Sequence, residues 1–196
     1  MQSNIEIEAK VLLSEEEFKA VINYLHLERY KKIKQINHYI DTPNRDLKEG
    51  DIALRVRETD NDFILTLKTP LSEGLLEKNQ TLSWREYSEL EENAVFPNGD
   101  IKNFLEICGF NVRDLRVLAN LTTYRIELEY DEGLLCLDEN TYGNNNEFID
   151  YELELECNSI KGAEILAKKV LNEAGINSFK FNTHSKQARA IAAISK

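Results

Sequence analysis

Residues 5–11 read IEIEAKV, and residues 151–157 read YELELEC. In both, every second side chain is apolar. Ile5, Ile7, Ala9 and Val11 face one way, and Glu6, Glu8 and Lys10 the other. Tyr151, Leu153, Leu155 and Cys157 oppose Glu152, Glu154 and Glu156. A period of two is that of a β-strand with one dry face and one charged face. The pattern recurs outward from these two segments. Leu54 and Val56 oppose Arg55 and Arg57; Phe63, Leu65 and Leu67 oppose Ile64, Thr66 and Lys68. Tyr124, Ile126, Leu128 and Tyr130 oppose Thr123, Arg125, Glu127 and Glu129. Residues 37–41, 81–88 and 134–138 alternate more weakly. The expected total is about eight strands, mostly antiparallel because the connections are short.

Such a sheet has one apolar face, which needs cover, and one face dense in charge. Amphipathic helices supply the cover. Ser14 and Glu17 form a capping box ahead of Phe18, Val21, Ile22 and Leu25 at helical spacing. Asp100 can cap a segment carrying Ile101, Phe104, Leu105 and Ile107, ended by Gly109. Ser159 can open a helix with Ala163, Leu166, Ala167, Val170 and Leu171 on one face and Gly175 past its end. A short helix is expected from Ser185 to Ile194, and a hairpin turn at Asn140–Asn146. The charged face has two fates: it meets water, or the sheet closes and the charges line a barrel. On periodicity alone the solvated face is the simpler reading.

Composition narrows the function classes. The 196 residues hold 24 Lys and Arg against 35 Asp and Glu, a net charge of −11. One domain spanning residues 1–196 suits that length. The acidic far field argues against binding nucleic acid or an anionic membrane, though not against a basic pocket within an acidic shell. The longest run without Asp, Glu, Lys or Arg is eight residues, Val117–Tyr124, far short of the ~20 that span a bilayer. Glu6 and Glu8 interrupt any secretory signal at the N-terminus. Cys108, Cys136 and Cys157 are scattered, with no zinc-ligand spacing. Free thiols and a cytoplasmic location are expected.

Glu6-Ile7-Glu8-Ala9-Lys10 is an ExExK pattern, weak by itself. It is followed in order by HYIDT (Tyr39, Asp41), GDIALRVRE (Arg55, Arg57), ILTLK (Lys68), WREYSE (Glu86), LTTYR (Arg125), LCLDENTY (Asp138), YELELE (Glu152, Glu154, Glu156) and Ser185-Lys186. In this series the chain resembles the CYTH superfamily, the triphosphate tunnel metalloenzymes, and most of all its short bacterial single-domain branch. The resemblance implies an α+β fold: a closed eight-stranded antiparallel β-barrel, or tunnel, with a charged interior and amphipathic helices packed outside. It reverses the preference for a solvated charged face. The family's activities are hydrolysis of triphosphates and, in one branch, cyclisation of ATP.

That resemblance assigns roles that the residue chemistry can meet. A triphosphate carries about four negative charges near neutral pH. Lys10, Arg55, Arg57, Lys68, Arg125 and Lys186 would supply six cations to bind it, the arginines through their planar forks. Glu6 and Glu8 lie about 7 Å apart along one strand. Crowded carboxylates call for a cation or protons, and oxygen-only donors favour Mg²⁺ or Mn²⁺. The metal ligands implied are Glu6, Glu8, Asp138, Glu152, Glu154 and Glu156; the catalytic group is Glu6, Glu8, Lys10 and Glu154. Glu86 would be a further metal-side acid or the partner of an arginine. Trp84 is expected in the core, Tyr39 and Asp41 as structural residues, and His26, His38 and His184 as structural or surface. The partner is a small-molecule triphosphate: inorganic triphosphate, thiamine triphosphate or a nucleoside triphosphate. The chain would be a monomer or a homodimer. A class IV-type adenylate cyclase, a polyphosphate binder without turnover and an open sheet with an unrelated role are the alternatives.

Overall fold

The computed structural model describes residues 2–60, 62–143 and 148–193. The strands are β1 (Gln2–Glu6), β2 (Glu8–Leu13), β3 (Ile33–Asp41), β4 (Ala53–Thr59), β5 (Asp62–Pro70), β6 (Leu75–Leu82), β7 (Arg116–Tyr130), β8 (Gly133–Tyr142) and β9 (Phe148–Glu156). The helices are α1 (Glu15–Tyr24), α2 (Asp46–Glu49), α3 (Trp84–Asn93), α4 (Asp100–Ile107), α5 (Ile160–Glu173) and α6 (Lys186–Ala193).

All strand pairs are antiparallel, in the order β1-β6-β5-β4-β3-β7-β8-β9-β2. The two ends of that order, β1 and β2, are consecutive in the chain. The sheet therefore curls until its edges meet at Ile7, giving a nearly closed barrel. Nine strands stand where about eight were expected, because the N-terminal segment breaks at Ile7 into one half paired with β6 and one paired with β9. At the break the Ile7 carbonyl accepts from the Cys157 N–H at 2.9 Å. The turn before β6 crosses close by. Gly74 has φ +77°, and a Cβ there would lie 2.4 Å from the Glu6 carbonyl oxygen, so only glycine fits.

The expected parity holds around the barrel. One apolar core joins Val11, Ile126, Leu135, Leu137, Leu153 and Leu155 to Phe18 and Val21 of α1 and to Ala163, Ala167 and Val170 of α5. A second joins Leu54, Val56, Leu65 and Leu67 to Leu47 of α2, Tyr87 and Leu90 of α3, and Ile101 and Leu105 of α4. At about 25 cal/mol per Å² of apolar area, these two layers are the main stabilising term. The charged parity points inward. α6 packs Ala190 and Ile191 against Tyr39, Ala119, Leu121 and Tyr142, which continue the inward parity of β3, β7 and β8, so the helix stops one end of the barrel.

Four readings need correction. Residues 81–88 are not one strand: only Thr81 and Leu82 belong to β6, and Ser83 opens α3. The Ser83 hydroxyl accepts from the Glu86 N–H, and the Glu86 carboxylate accepts from the Ser83 N–H. This is the same capping box that Ser14 and Glu17 make at α1. Trp84, expected in the core, is 68% exposed on the first turn of α3. Ile5 is 64% exposed, because β1 has left the part of the barrel that α1 and α5 cover. The hairpin at Asn140–Asn146 is present as the β8–β9 pairing, although residues 144–147 lie outside the described residues, as does Ile194. Gly99, not Asp100, is the N-cap of α4. Among the described residues no helix is long and apolar enough to cross a membrane.

Candidate active site in the barrel

The barrel encloses a cavity of about 810 Å³. All six expected cations line it: Lys10, Arg55, Arg57, Lys68, Arg125 and Lys186. They come from four strands and α6, and strand register sets their neighbours. Arg55 and Arg57 of β4 lie opposite Tyr39 and Asn37 of β3. Lys68 of β5 lies opposite Glu77 of β6. Arg125 of β7 lies opposite Asp138 of β8, which lies opposite Glu152 of β9.

The cations divide into two electrostatic kinds. Four are neutralised by acids. Lys10 pairs with Glu8 at 2.6 Å, and Lys68 pairs with Glu6 and, at 3.2 Å, with Glu77. Arg125 reaches Asp138 and, at 2.5 Å, Glu154. Lys186 reaches Asp138 and Glu152, both at 2.8 Å, and Glu154 at 2.5 Å. The other two, Arg55 and Arg57, have no carboxylate within ion-pair distance among the described residues. Arg57 donates from Nε to Asn37 Oδ1 at 3.2 Å, and the Arg55 Nε is buried with no partner. Burial, then Arg55 and Arg125, pull the Arg57 guanidinium down to about 9. One side of the cavity therefore presents two guanidinium groups that no carboxylate among the described residues pairs directly.

The acids divide in the same way. Glu6, Glu8 and Glu156 can bring carboxylate oxygens within 4.8 Å of one another. Burial, then Glu6 and Glu8, push the Glu156 carboxyl up to about 7. Glu8 is raised as well, by burial and then Glu154, against the opposing pull of Lys10. Lys10 pairs with Glu8 and Lys68 with Glu6, so among the described residues Glu156 is the member of this trio without an ion-pair partner. Asp138, Glu152 and Glu154 also converge, but the Lys186 ammonium already sits among them. Arg189 adds bonds of 2.8 and 3.1 Å to Glu152. Burial would raise Glu154, yet Lys186, Arg125 and Lys10 outweigh it and hold the carboxyl well below its usual range. Asp138 is lowered likewise, burial being overcome by Lys186 and Arg125. Asp138 and Glu152, expected as metal ligands, are engaged here by Lys186, Arg125 and Arg189, and neither lines the cavity.

Glu86 is not at the site: it is exposed, and its carboxylate is engaged by Ser83. Asp41 is structural, accepting from the N–H groups of Thr42, Leu47 and Lys48. His38 is buried behind the sheet against Tyr87, Asn120 and Glu58. Tyr39, expected as structural, lines the cavity and leaves its hydroxyl without a partner. Sequence reasoning did not single out Glu77, Asn37, Gln187 or Arg189. Arg189 lies three residues after Lys186, so one helical face carries both, a spacing that could have revealed it.

Comparison with known proteins settles the family. The CYTH domain model matches residues 4–186. The chain belongs to the CYTH domain family. This CYTH protein is 38% identical over 157 residues to YjbK of Bacillus subtilis (strain 168), to which a triphosphatase activity has been provisionally assigned; the match covers 80% of each chain. A solved structure from Bacillus halodurans, provisionally named an adenylate cyclase, is 38% identical. Its TM-score is 0.87, over 96% of this chain and 98% of that one. A Hippeastrum protein, provisionally named an adenylyl cyclase and described as having a dominant triphosphatase activity, shares the fold at 24% identity. Its TM-score is 0.76, over 96% of both chains.

Proposed function

We propose that this CYTH protein hydrolyses a small-molecule triphosphate in its barrel, with Mg²⁺ or Mn²⁺ held by Glu6, Glu8 and Glu156. The observation that carries this reading is the pair Arg55 and Arg57, two cations in the cavity wall without a carboxylate ion-pair partner among the described residues. Unbalanced charge in a walled, low-dielectric cavity calls for a polyanion, and arginine forks match phosphate oxygens. The provisional assignment of triphosphatase activity to YjbK points the same way.

The oxygen donors of Glu6, Glu8 and Glu156 fit a hard divalent ion, and the burial and neighbouring acids that raise Glu156 support a cation there. Such an ion would offset charge on the phosphate chain. The chain's own residues do the rest. Arg55 and Arg57 bind and orient the phosphates, and Lys10, Lys68 and Lys186 add point charges beside them. The buried network around Arg125 fixes the wall. Positioning plus electrostatic stabilisation is what phosphoryl transfer chiefly needs.

The test is phosphate release from tripolyphosphate, thiamine triphosphate and ATP, each with Mg²⁺, with Mn²⁺ and with chelator. Metal-dependent release is expected, and it should vanish in the Glu6→Ala/Glu8→Ala double variant while the fold persists by circular dichroism. Unchanged turnover in that variant overturns the reading. Cyclic AMP from ATP without phosphate release would make the protein a cyclase. Thermal stabilisation by tripolyphosphate with neither product would make it a binding protein.

A further inference from the structure

Three polar atoms are buried without a hydrogen-bond partner among the described residues: the Tyr39 hydroxyl, Arg55 Nε and Gln187 Oε1. All three residues line the barrel cavity. Tyr39 and Arg55 face each other across the β3–β4 register. Gln187 lies three and four residues before Ala190 and Ile191, the α6 residues packed on Tyr39, so it shares their helix face. The unsatisfied atoms thus gather where α6 stops the barrel. Tyr39 is 3% exposed and Gln187 7%. Leaving such atoms unpaired is unfavourable, so a ligand that pairs them is favoured.

Their chemistry differs. The Tyr39 hydroxyl and Arg55 Nε can donate, which suits phosphate oxygens. Gln187 Oε1 can only accept, and an ionised phosphate oxygen has nothing to give it. The obligatory donor in a hydrolysis is the water that attacks. We propose that Gln187 is a positioning residue: its Oε1 accepts from that water and aims it at the terminal phosphorus, while Tyr39 and Arg55 hold the oxygens of the same phosphoryl group. The inference rests on the hydrolase reading. The water oxygen bonds to the terminal phosphorus as the bridging P–O bond breaks. Diphosphate leaves with that bond's electron pair, and the orthophosphate keeps the second oxygen–hydrogen bond while the other proton passes to solvent. Gln187 takes no proton, since an amide is too weak a base; it only orients.

The experiment uses the full chain with tripolyphosphate and Mg²⁺ and compares Gln187→Leu with Gln187→Glu. Leucine removes the acceptor, and glutamate restores it with an added charge. For Gln187→Leu, kcat should fall on the order of 100-fold with KM changed less than about threefold. Its melting temperature without ligand should equal or exceed that of the wild type, because a buried unpaired oxygen has gone. Gln187→Glu should recover at least about tenfold of the lost kcat, even if its charge raises KM. An unchanged kcat in Gln187→Leu overturns the proposal. So does a raised KM at constant kcat, which would mean that the amide nitrogen binds phosphate. A lowered melting temperature would mean a structural partner, and absence of rescue by glutamate would exclude the acceptor role. Wild-type protein that releases no phosphate from any triphosphate would instead overturn the hydrolase reading itself.

Discussion

Arg125 grips Asp138 through two parallel bonds, Nε to Oδ1 at 2.7 Å and Nη2 to Oδ2 at 2.6 Å. The residues are direct partners in the β7–β8 register, and Asp138 is fully buried. Such a fork is among the stronger ion-pair geometries, and removing one partner from a buried pair costs about 3–5 kcal/mol. Asp138→Asn should therefore lose roughly 3 kcal/mol in urea denaturation with chelator present, since Lys186 and Arg125 lose a shared counter-ion. Were Asp138 a metal ligand instead, stability in chelator would be little changed and only metal affinity would drop.

The acids of the cavity predict a two-sided pH profile. Asp138 and Glu154 are held below their usual range. The stability they contribute is present above the unfolded carboxylate value of about 4 and is lost as pH falls through the lower folded values. Glu156 runs the other way. Between about 4.3, its unfolded value, and about 7, its folded one, the native state keeps a proton that the unfolded chain has released. Stability therefore declines as pH rises through that window, and the raised Glu8 adds to the decline. In chelator the melting temperature should be higher at pH 5 than at pH 8 and should collapse below about pH 4. Glu156→Gln should shrink the decline between pH 5 and 8. Excess Mg²⁺ should abolish it, because binding requires the carboxylate form. A flat profile from pH 5 to 8 in chelator would contradict the placement of Glu156 beside Glu6 and Glu8.

The strand parity was legible because the two faces differ so sharply in chemistry. Parity put Glu6, Lys10, Arg55, Lys68, Arg125 and Glu154 on one charged face, and the family resemblance, not parity, turned that face inward, where the cavity has them. Two things were not legible. Strand β6, LLEKNQTL, has no apolar parity because its outward side chains include Lys78, stacked on Phe104, and Gln80, bonded to the Asn98 carbonyl, so Glu77 passed unseen and a helical capping box was taken for a strand. Counter-ion pairing also escaped. Asp138 and Glu152 look like Glu6 and Glu8 along the chain, and the contacts of Lys186, Arg125 and Arg189, set by strand register and a distant helix, distinguish the more heavily paired triad.

Gly74 ties barrel closure to the acid trio. A Cβ at this position would lie 2.4 Å from the Glu6 carbonyl oxygen and 2.7 Å from Ile7 Cγ1, and its φ of +77° is itself unfavourable for alanine. Gly74→Ala must push β1 away from the turn or strain the turn. The melting temperature should fall by several degrees, corresponding to about 1–3 kcal/mol, and Mg²⁺ affinity should weaken because Glu6 shifts against Glu8. Differential scanning calorimetry and Mg²⁺ titration measure the two effects. A variant equal to wild type in both would show that the turn relaxes without moving β1.

Arg57 offers the sharpest division between binding and stability. Its guanidinium is pulled down to about 9 by burial, Arg55 and Arg125, and it donates to the neutral Asn37 oxygen rather than to a carboxylate among the described residues. In the ligand-free protein the charge is therefore a cost that an anion would relieve. Arg57→Met, which keeps the length and loses the charge, should raise the melting temperature of the ligand-free protein. It should also diminish the stabilisation by tripolyphosphate, about 2.7 kcal/mol for wild type at a hundred times Kd, and raise KM at least tenfold. Function kept at the expense of stability is the general expectation where a site must hold a charged substrate. If Arg57→Met instead melted lower and kept its response to tripolyphosphate, the arginine would be a structural cation, and the anion site would lie elsewhere in the barrel.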